Sequence, residues 1–236
     1  MKYDGKKLRH ELKFYINPRE LVSLRQRVQQ LLPLDRYSVS PEGYHIRSLY
    51  MDDYGEGALY DKINGVFSRR KYRIRIYNKS DKIIKLERKS KFNEYVAKES
   101  ATLTREQVDR LLEGDVSWAS SAPRGLLQDF YLDVKHGAMK PSVIVDYVRE
   151  AYIDELSDTR ITFDKQLASG FHHVDLFDAE LPTWPAVDDN RYILEVKYNA
   201  FLPHSIRALV QMETHQRSTI SKYVLCKERQ KVYYKA

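Results

Sequence analysis

The chain has 236 residues, 42% of them apolar, with a single cysteine, Cys226. This balance excludes a disordered chain, the lone thiol excludes an internal disulfide or a cysteine-based zinc cluster, and no apolar run reaches the roughly 18 residues of a membrane-spanning helix. Forty Lys and Arg against 33 Asp and Glu leave a net charge of +7, which either favours a polyanionic partner or only keeps the protein soluble.

The polar start, Met1 to Gly5, has no signal-peptide pattern, so a cytoplasmic location is expected. With no repeat and no linker-like stretch, residues 1–236 read as one domain. Leu8–Ile16 alternates as a strand and runs into Asn17-Pro18-Arg19-Glu20, a helix cap with proline at the first helical position. Leu21, Leu24, Val28, Leu31 and Leu32 continue at helical spacing, and Pro33 ends that helix. Strands follow at Tyr44–Met51, Gly65–Tyr77 and Lys82–Lys89, with a turn-rich stretch at Asp52–Gly57 and a hairpin turn at Asn78-Lys79-Ser80-Asp81. Glu94–Leu103 is a further strand, and Thr104-Arg105-Glu106-Gln107 is a capping box opening a helix through Leu112. Residues 124–136 read as helix, then Ser142–Tyr152, Thr159–Gln166, Gly170–Phe177 and Arg191–Tyr198 as strands. The end, from about His204 to Lys231, reads as mainly helical. Many strands with short turns and peripheral helices describe an α+β barrel or sandwich.

Alternate residues of a strand share a face. Lys71, Arg73 and Arg75 therefore oppose Tyr72, Ile74 and Ile76, and Lys85, Glu87 and Lys89 oppose Ile84, Leu86 and Arg88. Glu11 and Lys13 oppose Leu12 and Phe14; Arg160, Thr162 and Asp164 oppose Ile161 and Phe163; Glu195 and Lys197 oppose Leu194, Val196 and Tyr198. A solvated sheet face would also alternate in this way. These faces, however, combine clustered cations with single carboxylates. Cations bind phosphate oxygens, while carboxylates hold a hard divalent metal that bridges them. That mixture suits a triphosphate better than a nucleic acid, whose binding surfaces carry few acids.

The succession Glu11-Leu12-Lys13, Lys71-Tyr72-Arg73-Ile74-Arg75, Leu86-Glu87-Arg88-Lys89, Lys98, Arg160-Ile161-Thr162-Phe163-Asp164, Leu194-Glu195-Val196-Lys197-Tyr198 and Ser221-Lys222-Tyr223 resembles the polyphosphate polymerase domain of the vacuolar transporter chaperone (VTC) family, one of the triphosphate tunnel metalloenzymes. Ser48-Leu49-Tyr50-Met51-Asp52 and Leu59-Tyr60-Asp61-Lys62 look like that family's second strand and turn. The resemblance implies a closed eight-stranded antiparallel β-barrel with peripheral helices, Mn²⁺ or Mg²⁺, and transfer of the ATP γ-phosphate to a growing inorganic polyphosphate chain. It implies that Lys13, Arg73, Arg75, Lys89, Lys98 and Arg160 grip phosphates, that Glu195 binds metal, and that Lys222 reaches the tunnel end from a C-terminal helix. Glu11 and Glu87 are further metal candidates; Lys71, Lys85, Arg149 and Lys197 are further phosphate-binding candidates, placed by strand phase as well as by resemblance.

Two other functions fit the same residues: hydrolysis of a triphosphate, and non-enzymatic binding of polyphosphate or inositol phosphates. His10-Glu11-Leu12-Lys13 lacks the paired glutamates of the related CYTH phosphatases. No glycine-rich phosphate loop is present, which leaves P-loop and kinase folds unsupported. His172 and His173, with Asp175 nearby, make a poor metal pair, because neighbours on a strand face opposite ways.

Overall fold

A computed structural model describes residues 2–3, 6–171, 174–188, 190–211 and 218–233. A short pair, β1 (Lys2–Tyr3) and β2 (Lys6–Lys7), precedes β3 (His10–Ile16). Asn17 then caps α1 (Pro18–Gln29): its side chain accepts from the Glu20 N–H at 3.0 Å, and the Glu20 carboxylate accepts from the Asn17 N–H at 2.7 Å. Next come β4 (Tyr44–Asp52), α2 (Gly57–Ile63), β5 (Ser68–Tyr77), β6 (Ser80–Phe92) and β7 (Tyr95–Leu103). A helical excursion, α3 (Arg105–Leu112) and α4 (Leu126–His136), leads to β8 (Lys140–Asp154), β9 (Thr159–Gly170), β10 (Thr183–Pro185) and β11 (Tyr192–Tyr198), and α5 (His204–Val210) and α6 (Lys222–Tyr233) complete the order.

Eight strands form one antiparallel path, β3-β11-β9-β8-β4-β5-β6-β7, with β10 paired to β9. Its ends approach one another. Arg9 donates to the Val96 carbonyl at 3.1 Å and Val96 to the Arg9 carbonyl at 3.0 Å, a single bridge rather than a ladder. The sheet is thus not closed, and the expected barrel is not established by its hydrogen bonds.

The apolar strand faces point away from the charged ones and are covered by helices. Tyr72, Ile74, Ile84 and Leu86 pack with Val108 and Leu111 of α3 and Phe130 of α4. Ile161, Phe163, Leu194 and Val196 pack with Leu21, Leu24 and Val28 of α1 and Ile206 of α5. Arg88 shares the apolar face and is neutralised there: it donates to Glu99 at 2.8 and 2.9 Å and to Asp129 of α4 at 2.6 Å.

Local expectations are corrected or refined at several points. The strand expected from Gly65 begins at Ser68, and between it and the turn-rich Asp52–Gly57 lies α2, a helix not anticipated, which forms because the Asp52 and Asp53 carboxylates accept from the N–H groups of Ala58 and Gly57 at 2.9 and 3.0 Å. Of the expected strand Gly170–Phe177, the described residues 171 and 174–177 lie outside any strand; β10 takes the place beside the end of β9, pairing Thr183 with Gly170. The mainly helical C-terminal stretch holds two helices, with described residues 218–221 outside both, and these residues reach the sheet interior, where Ser218 donates to the Lys13 carbonyl at 2.9 Å. The β5–β6 turn is tighter than expected. Asn78 and Lys79 alone make it, at φ 51° and 54°, as a two-residue hairpin with right-handed strand twist requires.

Candidate functional site

The charged faces of β3, β5, β6, β7, β8, β9 and β11 converge on one cavity. Glu11, Lys13, Lys71, Arg73, Arg75, Glu87, Lys89, Lys98, Arg149, Arg160, Glu195, Lys197 and Lys222 all line it. Lys85 is not among the lining residues; its Nζ donates to Thr102 Oγ1 at 2.6 Å. His172 and His173 lie outside the described residues.

Each interior carboxylate gathers cations. Arg73 donates to Glu87 at 2.7 Å and Lys98 to its other oxygen at 2.7 Å, while Arg75 stands 3.9 Å away. Lys89 donates to Glu11 at 2.6 Å. Glu195 faces Lys13 at 3.5 Å, Lys197 at 3.2 Å and Arg149 at 3.3 Å. Asp164 takes two bonds from Arg149, at 2.6 and 2.8 Å, and pairs with Lys222 at 2.6 Å. Burial alone would raise these carboxyls. The cations outweigh it: Lys89, aided by Lys197 and Lys13, holds Glu11 down to about 2, and Glu87, Asp164 and Glu195 are also lowered. The carboxylates therefore stay ionised and keep the cations oriented.

Tyrosines complete the wall where β4 supplies no charge. Tyr50 accepts from Arg73 at 2.9 Å, Tyr147 accepts from Arg75 at 3.0 Å, and Tyr44 accepts from Arg160 at 2.6 Å. Arg160 is further held by Asp35 at 2.7 Å. Gly43 allows the chain entering β4 to lie against β8: a Cβ there would stand 2.0 Å from the Arg149 carbonyl, and φ is +105°. Any side chain at Gly43 would displace the backbone that carries Arg149.

Several groups are poised near neutrality. Burial, then the repulsion of Lys89, Lys13 and Arg73, lowers Lys71 to about 7 against the opposing pull of Tyr50. Burial lowers Lys197 to about 7 despite Glu195. For Tyr50, burial works upward, yet Arg73, Lys71 and Arg75 bring the phenol down to about 7. Lys13 is different: Glu195 and Glu11 overcome its burial and raise it. An anion placed beside Lys71 and Lys197 would restore their charge.

The donor set fits a magnesium-like ion only in part. Among the described residues no three His, Cys, Asp or Glu side chains stand at metal-binding spacing. Glu11 and Glu195 do sense one another, since Glu195 raises the Glu11 carboxyl, and both face Lys13. One or two carboxylates with water and substrate phosphates completing the shell is the usual magnesium arrangement.

Strand phase reached most of this cavity. It placed Asp164 on the charged face without giving it the role of anchoring Arg149 and Lys222. It missed Tyr50, Tyr147 and Tyr44, whose alternation carries no charge, and the further lining cations Arg9, Lys62, Arg69 and Lys91. For Tyr50 a signal existed: it shares the face of Ser48, which accepts from Arg75 at 3.0 Å.

Residues 8–229 match the family model described as the VTC domain. No curated protein matches the chain. Similar solved structures include a Bacillus halodurans protein provisionally described as an adenylate cyclase (14% identity, 98% of this chain and 88% of that one, TM-score 0.48). A Pyrococcus horikoshii protein is similar at 15% identity over 97% and 99% of the two chains, with a TM-score of 0.47. A chain of the Schizosaccharomyces pombe Mediator head module is similar at 10% identity over 86% and 89%, with a TM-score of 0.46. Likenesses this distant say nothing about chemistry. Among the described residues no helix is long and apolar enough to cross a membrane.

Proposed function

The chain belongs to the VTC domain family, and on that premise we propose that it is a metal-dependent polyphosphate polymerase, moving the γ-phosphoryl group of ATP to the end of an inorganic polyphosphate chain. The observation that carries this reading is the cavity in which Arg73, Arg75, Lys89, Lys98, Arg149 and Lys222 stand with Glu11, Glu87 and Glu195, the last two cations anchored on the buried Asp164. The reading takes residues 1–236 as one domain and the sheet as a tunnel whose seam is the Arg9–Val96 bridge.

In this account the terminal oxygen of the acceptor chain attacks the γ-phosphorus, the bond from that phosphorus to the β–γ bridging oxygen breaks, and ADP leaves. Negative charge spreads over the transferred group, so positioning and charge stabilisation do most of the work. Arg73 and Lys98, fixed by Glu87, and Lys89, fixed by Glu11, hold phosphate oxygens. Arg149 and Lys222, both anchored on Asp164, hold the next ones, and Arg160 stands beside Tyr44. Glu195 with Glu11 would hold Mn²⁺ or Mg²⁺, which when bound supplies charge to non-bridging phosphate oxygens. Glu87, already gripped by three cations, serves to orient them.

The test is incubation with ATP and Mn²⁺, with and without a short polyphosphate primer, followed by separate assays of polymer and free phosphate. Polymer with matching ADP is expected. Free phosphate without polymer would replace the reading with a triphosphate hydrolase, and neither product would leave a phosphate-binding module.

A further inference from the structure

The end of the sheet where β5 begins and β6 finishes carries a patch that phosphate chemistry does not use. Among the described residues, five of the sixteen exposed large apolar side chains fall within residues 54–67: Tyr54, Tyr60, Ile63, Val66 and Phe67. Phe67 is 68% exposed and Ile63 53%, so both stand out from the surface. Solvent exposure of so many large apolar groups in one place marks an interaction surface.

Cations surround the patch. Lys62 lies between Tyr60 and Ile63, Arg69 lies two residues beyond Phe67, and Lys91 is Arg69's partner across β5 and β6. Lys140 Nζ sits 3.6 Å from the centre of the Tyr54 ring, and Lys231 Nζ lies 5.4 Å from that of Tyr60. The nearby acids are largely engaged: Asp52 and Asp53 accept from the first N–H groups of α2, Glu56 is occupied by Lys227 and Lys231, Asp61 adjoins Arg69, and Glu94 lines the cavity with Lys91. Lys62 and Lys91 are both lowered, first by burial and then by Arg69, whose charge each of them feels.

This charge selects the occupant. A second copy related by a two-fold axis would bring the same cations face to face. An anionic lipid layer would attract them, and apolar tips flanked by Lys and Arg suit the headgroup region. We propose that residues 54–67 dock the protein onto an anionic bilayer surface. Phe67 and Ile63 enter the headgroup layer while Lys62, Lys91 and Lys140 face lipid charge. Lys62, Arg69 and Lys91 also line the cavity, so the docking surface adjoins it. This inference does not depend on the proposed phosphoryl transfer.

Co-sedimentation of the full chain with phosphatidylcholine vesicles, with and without phosphatidylglycerol, tests it. The protein should sediment with the anionic vesicles alone, and less so as salt is raised. The double variant Ile63→Ser, Phe67→Ser should lose at least ~10-fold in vesicle affinity while keeping wild-type affinity for tripolyphosphate. No vesicle binding, equal binding to neutral vesicles, or undiminished binding by the double variant would each overturn the proposal. So would a wild-type dimer that the two serines dissolve.

Discussion

Glu195 is the single carboxylate on which Lys13, Lys197 and Arg149 converge. Glu195→Gln should therefore lower turnover by at least ~100-fold, as loss of a metal-site group does, while tripolyphosphate affinity holds or rises because three cations lose a competitor. Calorimetry beside the ATP assay separates the two effects; equal loss of both would end this division of labour. A second outcome concerns protons. Above about 7, Lys71 and Lys197 lose their charge and Tyr50 gains one, so the cavity becomes less positive on all three counts. Tripolyphosphate affinity should fall as pH rises through 7, with proton uptake on binding. Tyr50→Phe should flatten that dependence relative to wild type, and titration calorimetry in buffers of different ionisation enthalpy reads both.

Elements carry the cavity through a few shared anchors. The Asp52 carboxylate, at the end of β4, accepts from Ala58 and Leu59 of α2 at 2.9 and 3.3 Å and from the Tyr223 hydroxyl of α6. It thereby fixes the helix that bears Lys222. Asp52→Ala strands these donors and should cost about 3 kcal/mol of stability, with a parallel drop in phosphate affinity as Lys222 loses its register. Urea unfolding and calorimetry on the same variant would show both, and retention of full affinity would mean that α6 is held without Asp52. On the outer surface, Phe130 of α4 is fully buried against Tyr72 with ring centres 5.3 Å apart. Phe130→Ala should cost about 3–5 kcal/mol yet leave tripolyphosphate affinity unchanged, because it packs on the other side of β5.

At the scale of the whole molecule, an interior of buried cations makes the ligand-free state pH-sensitive. Lys71, Lys197 and Tyr50 titrate near 7 when folded but at 10 to 10.5 ordinarily, so between these values the unfolded chain binds more protons. Stability of the ligand-free protein must then rise with pH across that window, by up to ~1 kcal/mol per pH unit for each group. Tripolyphosphate should reverse the trend, raising Tm most at the acid side, where saturation at a hundred times Kd contributes about 2.7 kcal/mol. Thermal melts at pH 7 and 9, with and without tripolyphosphate, test the sign; a ligand-free Tm that falls from pH 7 to 9 would contradict it.

The two-residue period of β5, β6 and β11 determined which side chains share a face, and so set Lys71, Arg73 and Arg75, Glu87 and Lys89, and Glu195 and Lys197 on the charged face of their strands. The caps at Asn17 and Thr104 likewise announced α1 and α3, because a cap is a contact within four residues. Sequence left open whether the charged face was wet surface or enclosed wall, since both alternate alike. Tertiary structure decided it by laying α1, α3, α4 and α5 over the apolar faces and curling the sheet until Arg9 met Val96. The same folding decided which carboxylate holds which cation: Asp164 with Lys222, and Glu11 with Lys89, are partners 58 and 78 residues apart in sequence that only the tertiary arrangement makes neighbours. Local periodicity fixes the direction of a side chain, but its partner depends on which strands lie side by side.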